Sequence, residues 1–370
     1  MTNLLRAAAV AREFQIEGEL VSAVAYGTGH INDTYRVEFS RSGIPSLFIL
    51  QRVNTGIFHH PAMLMENILR VTEHVGKKLG AEPDSDRRVL RLIPVRHGAF
   101  WHQDPEGGFW RMFRFIDGAH TYDTVKSPEQ AYQAARAFGK FQKMLVDLPS
   151  PRLHDTIPDF HNTAKRFKAF ELALSADEVN RAVIAKEEVE FALCHGGIVH
   201  ALLQAGLPER VTHNDTKFNN VLFDDTSGEG ICVLDLDTVM PGLSLYDFGD
   251  MVRTATCLAD EDEQDLSRIE MEFPLFEALA RGYLESSAGF LTTDEKQFLA
   301  FAGKLITFEQ GIRFLTDYLA GDTYYKVHRE RQNLDRCRTQ FKLIQSIEQQ
   351  EERMNQTVAA LVAGRTRSRV

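Results

Sequence analysis

Cysteine is scarce in this sequence. The four residues (Cys194, Cys232, Cys257, Cys337) are scattered, with no CxxC pair and no histidine at metal-ligand spacing. That excludes a disulfide framework and a zinc ribbon, and it points to reduced thiols. No apolar run approaches the roughly eighteen residues a membrane span requires. Positive charge is also short: 42 Lys and Arg stand against 52 Asp and Glu, a net charge of -10 with pI near 5.7. A nucleic-acid face needs clustered Lys and Arg, so that class is excluded, and the basic end at residues 365–369 reads as a solvated tail. Neither HExxH nor GxSxG occurs, which removes the corresponding metal-hydrolase and serine-nucleophile classes. Internal repeats and low-complexity linkers are missing too. The apolar opening is interrupted by Arg6 and followed by Glu13, so it reads as an amphipathic helix and not as a signal peptide. A cytoplasmic chain is expected, with no membrane, nucleic-acid or obligatory protein partner.

What is present suffices for an ordinary core, since 44% of the 370 residues are hydrophobic and 25% charged. Strands are expected at residues 20–25, 31–39 and 47–51, a helix at 61–79 opened by Pro61, and strands at 89–94 and 109–116. From Pro128 helical periodicity takes over, at 131–146, 167–174, 182–204 and 266–362, interrupted by a hairpin over 219–235. The fold class is therefore α+β: a small, mostly antiparallel β lobe with one main helix (1–116) and a larger helical lobe (117–370), joined near residues 116–118.

The hairpin carries the chemistry. Residues 220–223 and 231–234 are rich in strand formers, and 224–230 is turn composition. Pairing Phe223 with Ile231 puts Asn220 opposite Leu234, beside Asp235. Asp215 lies five residues before Asn220 on the loop that feeds the ribbon. Phosphoryl transfer needs oxygen ligands for Mg²⁺, a carboxylate to accept the attacking hydroxyl's proton, and a cation for the transferring group. Asn220 and Asp235 fit the metal, Asp215 the base and Lys217 the cation. His213-Asn-Asp-Thr-Lys-Phe-Asn-Asn220 has the layout of a kinase catalytic loop. His213 reads as a packed loop residue and Asp247 as an acceptor holding that loop. Asp237 is open between supporting the site and touching substrate.

The first lobe is less decided. Gly27, Thr28 and Gly29 lie between two strands, as a phosphate-binding loop or an ordinary turn. The third strand offers Gln51 and Arg52 where a lysine usually meets the phosphates, so the amide or the guanidinium must serve, or the phosphates are held otherwise. Glu66 is the candidate partner, or a solvated helix residue. Phe115, Ile116 and Asp117 are expected at the adenine edge.

Four blocks carry a resemblance along nearly the whole chain: residues 26–35, 210–217, 234–242 and 313–324. They resemble the aminoglycoside phosphotransferase-like superfamily, which has the protein-kinase-like fold, and within it the bacterial N-acetylhexosamine 1-kinases. The resemblance implies ATP and Mg²⁺, N-acetylglucosamine or N-acetylgalactosamine as acceptor, and an α-sugar 1-phosphate as product. It implies that Asp215 is the base, that Asn220 and Asp235 hold metal, and that Arg313 and Tyr324 line the sugar pocket. From spacing alone Arg313 and Tyr324 read equally as an ion-paired surface residue and a packing aromatic. Two other readings stay open: the same fold acting on an amino alcohol, a homoserine-like compound or an aminoglycoside, and a catalytically dead binding protein.

Overall fold

The computed structural model describes residues 3–27, 31–81, 84–287 and 289–367. Helix α1 (Asn3–Ala11) precedes strands β1 (Glu19–Ala25), β2 (Asp33–Arg41) and β3 (Ile44–Val53), then α2 (Pro61–Leu79), β4 (His102–Gln103) and β5 (Phe109–Arg114). The strands form one antiparallel sheet in the order β1-β2-β3-β5-β4. Alternate residues of β2 (Tyr35, Val37, Phe39) face a core closed by α1, as the two-residue period of a strand requires. α2 begins at Pro61, whose fixed φ and missing N–H suit the first helical position.

The chain then passes through residues 115–118 to β6 (Ala119–His120), α3 (Pro128–Leu145), α4 (Thr163–Ala176), α5 (Lys186–His195), α6 (Ala201–Gln204) and β7 (Arg210–Thr212). Next come β8 (Val221–Asp224), β9 (Gly230–Val233), β10 (Met240–Gly242) and α7 (Ser244–Ala255). Helices α8 (Phe273–Ser287), α9 (Thr293–Gln297), α10 (Leu299–Leu319) and α11 (Gln332–Arg367) complete it. Ser127 caps α3 by accepting from the Gln130 N–H, and Thr292 with Glu295 forms a capping box on α9. The fold is the expected α+β arrangement, an antiparallel sheet with one main helix beside a helical part. No helix among the described residues is long and apolar enough to cross a membrane, and all four cysteines are free.

Three expectations are corrected. Residues 89–94 do not form a strand: they meet β5 through one bridge, Leu92 with Phe113, because Pro94 supplies no N–H to extend the ladder, and the fourth strand in chain order is His102–Gln103. The helix expected over 182–204 is broken by a 3₁₀ turn at Gly196–Ile198, where two adjacent glycines carry the highest helix cost short of proline. The hairpin pairs Phe223 with Gly230, not Ile231, because a bulge follows Leu222. Since the bulge lies toward the turn, the end at Asn220 keeps its register: the Leu234 N–H donates to Asn220 O at 2.8 Å.

Candidate active site

Asp247, on the first turn of α7, holds the loop over residues 213–216. Its oxygens accept from the His213 N–H (2.9 Å), the Asn214 N–H (2.7 Å) and Gln142 Nε2 (2.5 Å). Burial raises the Asp247 carboxyl, opposed by His213 and by these donors. His213 is fully buried against the edges of Phe138 and Phe141 and bonds to Leu234 O at 2.7 Å. Asn214 takes a left-handed φ of 65°, a conformation asparagine tolerates better than most residues. Its amide is tied to Thr212 Oγ1 (3.0 Å) and Thr238 O (2.9 Å). The loop is thus stitched to the segment that follows β9, and Asp215 is presented from it.

The sequence-predicted groups converge here. Lys217 Nζ lies 2.9 Å from Asp215 Oδ1. Asn220 Nδ2 donates to Asp215 O (2.8 Å) and Oδ2 (3.4 Å), which leaves the amide oxygen as the atom available to a cation. Asp235 follows β9 in a left-handed conformation, φ 53°. Burial, then the charges of Asp237 and Asp215, push its carboxyl up to about 6 against the pull of Arg111 and His213. A carboxylate crowded by two others, beside a free amide oxygen, is a hard-oxygen donor set suited to a divalent cation. Among the described residues no group of three or more His, Cys, Asp or Glu converges on one point; a Mg²⁺ ion shared with phosphates and water needs only one or two protein ligands. For Asp215, burial raises the carboxyl, but Lys217 first, then His213 and Arg253, bring it below the ordinary value. The Asp215 charge in turn raises Lys217.

Two cavities flank this centre. One, of 460 Å³, lies between the sheet and the hairpin and is lined by Gln51, Arg111, Phe115, Ile116, Asn220 and Asp235. Gly27 also borders it, while Thr28 and Gly29 lie outside the described residues. The other, of 540 Å³, is lined by Asp215, Lys217, Asp250, Arg253, Arg313 and Tyr324. The Asp317 carboxylate places Tyr324 by accepting the N–H groups of Thr323, Tyr324 and Tyr325. Arg313 donates to Gln310 Oε1 (2.9 Å) and lies over the rings of Phe160 and Tyr325, at 5.3 and 5.8 Å. It is therefore not the ion-paired surface residue that spacing alone allowed.

Several placements differ from expectation. Asp117 does not line the first cavity; its carbonyl turns outward and accepts from Arg87 Nε at 3.0 Å. Asp237 does not line the second: one oxygen is ion-paired with Arg111 and the other accepts from Asn32 Nδ2 at 2.7 Å. Arg52 pairs with Asp33 (2.8 Å), an exposed residue of β2, since adjacent strand residues face opposite ways. Glu66 bonds to His154 (2.9 Å). Its neighbour Asn67, fully buried, ties α2 to the His154 and Val239 carbonyls at 2.8 and 3.1 Å. Arg111 was missed. Its signal was one arginine inside the apolar run Phe109-Trp-Arg-Met-Phe113.

The chain matches the phosphotransferase enzyme family over residues 22–283. Its fold resembles that of a microcompartment-associated aminopropanol kinase at 15% identity, covering 95% of this chain and 99% of that one, TM-score 0.62. A spectinomycin phosphotransferase solved with ADP and spectinomycin is similar at 10% identity over the same shares, TM-score 0.62. Choline kinase from Cryptosporidium parvum Iowa II is similar at 13% identity, covering 97% and 98%, TM-score 0.53.

Proposed function

The chain belongs to the phosphotransferase enzyme family, and from that premise we propose that it transfers the γ-phosphoryl group of ATP to the anomeric hydroxyl of an N-acetylhexosamine, giving the sugar 1-phosphate. The 460 Å³ cavity takes the nucleotide, with Phe115 and Ile116 at the base edge, and the 540 Å³ cavity takes the sugar. Asp215 and Lys217 line the 540 Å³ cavity, and Asn220 and Asp235 line the 460 Å³ one.

The observation that carries the choice of acceptor is the charge state of the second cavity. Every carboxylate there already has a cation: Asp215 has Lys217, Asp250 and Glu261 share Arg253, and Glu309 has His161. Arg313 meets an amide and two aromatic faces instead of an acid. An ammonium-bearing acceptor would find no uncommitted anion and would face a free guanidinium. A neutral, oxygen-rich sugar suits this lining, with Arg313 donating to its oxygens.

In the reaction Asp215 orients the C1 hydroxyl and takes its proton. A C1 hydroxyl is more acidic than an ordinary sugar alcohol, so a carboxylate held below its usual value remains a competent base. Lys217 offsets charge on the transferring group, and the loop tied to Asp247 fixes both side chains, so positioning and electrostatics supply most of the acceleration. Mg²⁺ held by Asp235 and Asn220 would neutralise the phosphate oxygens.

The test is an ADP-release assay on N-acetylglucosamine, N-acetylgalactosamine, aminopropanol, choline and an aminoglycoside, with phosphorus NMR of the product. An anomeric phosphate signal is expected with the N-acetylhexosamines. Turnover of an amine with no anomeric phosphate would overturn the acceptor assignment. Asp215→Asn should lower kcat by about a hundredfold or more; unchanged turnover would remove Asp215 from the chemistry.

A further inference from the structure

In a kinase site, a third-strand lysine meets the phosphates and pairs with a glutamate on the following helix. Here that strand position is Gln51, and Glu66 on α2 is bonded to His154. Directly across the ladder from Gln51 stands Arg111 on β5. It is 1% exposed yet borders the nucleotide cavity. Gln51 Oε1 accepts from Arg111 Nε (3.0 Å) and Nη2 (2.8 Å), and Nη1 is paired with Asp237. Asp237 is held from its other side by Asn32, whose own amide oxygen accepts the Asn54 N–H at 3.0 Å.

We propose that Arg111 is the phosphate-facing cation of this site, moved from the third strand to the fifth, with Gln51 and Asp237 as its positioning residues. The proposal rests on the nucleotide reading above. It explains why position 51 is a glutamine: an amide oxygen accepts two guanidinium N–H groups, whereas a lysine there would set a second cation against the first. A guanidinium has five N–H donors; three are engaged by Gln51 and Asp237, and the remaining two are left for phosphate oxygens. The ion pair that elsewhere joins strand to helix is transposed. Its acid is now Asp237, two residues past Asp235, so the cation is registered to the metal-binding segment and not to α2.

The experiment is calorimetric binding of adenosine, ADP and ATP to the full chain, with steady-state kinetics alongside. Arg111→Gln is combined with Asp237→Asn so that no buried carboxylate is stranded. ATP affinity should fall about ten- to hundredfold while adenosine affinity stays within about twofold, the signature of a lost charge-assisted hydrogen bond to phosphate. Adding Gln51→Lys to that double variant should recover most of the ATP affinity. Arg111→Lys alone, which keeps the charge and is the variant to use if the double change does not fold, should stay within about tenfold of wild type. Equal losses for adenosine and ATP, or no loss at all, would overturn the assignment of Arg111. If the unaltered protein bound neither adenosine nor ATP, the nucleotide reading itself would fail.

Discussion

His161 and Glu309 form an ion pair in the wall of the 540 Å³ cavity, with side chains 6% and 1% exposed. His161 Nδ1 meets Glu309 Oε1 at 2.7 Å and Nε2 meets Asn214 O at 2.9 Å. Both ring nitrogens face acceptors, so both must donate, which only the imidazolium can do. Burial depresses the His161 pKa, but the Glu309 charge and hydrogen bond and the Asn214 carbonyl raise it above the ordinary value overall. A raised histidine stabilises the fold fully below about pH 6.5, and that stabilisation is lost as pH rises through the folded-state value. Glu309→Gln leaves the imidazole without its counter-charge and should cost about 3–5 kcal/mol near pH 6. The gap to wild type in urea unfolding should narrow as pH rises through the folded-state value, and a pH-independent gap would refute the charged pair. At this scale the grouping of Asp215, Lys217 and Asn220 was legible because they lie within a few residues of one another. Arg111 was not, because its partner Asp237 lies 126 residues away and only the folded ladder places Gln51 beside it.

Helices α3 and α8 pack at a separation that two glycines permit. A Cβ on Gly282 would lie 2.3 Å from Tyr132 O, a backbone atom with no room to give, whereas one on Gly139 would meet Ser286 Oγ first, at 2.1 Å, a side-chain atom that can rotate away. Gly282→Ala should therefore destabilise by about 1–3 kcal/mol, and Gly139→Ala by less, read as urea midpoints at unchanged slope. The reverse order would show that the helix backbones, not the rotamers, relax. Periodicity and turn composition located these helices and the hairpin, but they could not show the bulge after Leu222, since either pairing of Phe223 keeps apolar residues on both strands. The lost strand over 89–94 fails for a local reason. Its apolar residues suit a strand, but Pro94 inside it has no N–H to donate to a ladder.

The proposed reaction is placed between a sheet and a helical part, yet the core does not divide there. One apolar cluster runs from Leu64, Ile68 and Val71 of α2 through Phe109 and Phe113 of β5 to Phe138 of α3, Phe248 of α7 and Phe276 of α8. Polar ties repeat the connection: Asn67 reaches Val239, Arg70 reaches Pro149 O at 2.7 Å, and Arg88 pairs with Glu229 at 3.2 Å. The sheet's other face has a separate core with α1. The order of strands and helices announced two lobes, because sequence order reveals segregation along the chain. It does not reveal that α2 packs as part of the helical core, a matter of which apolar stripe meets which. A helix whose buried face is completed from across the cleft cannot lose that partner and stay folded, so the sheet and the helices should unfold together. Calorimetry should give one transition with matching calorimetric and van't Hoff enthalpies, unlike the behaviour of most chains with independent domains. Two resolved transitions, or a cooperatively folded fragment ending near residue 116, would show that the shared cluster does not couple the two parts.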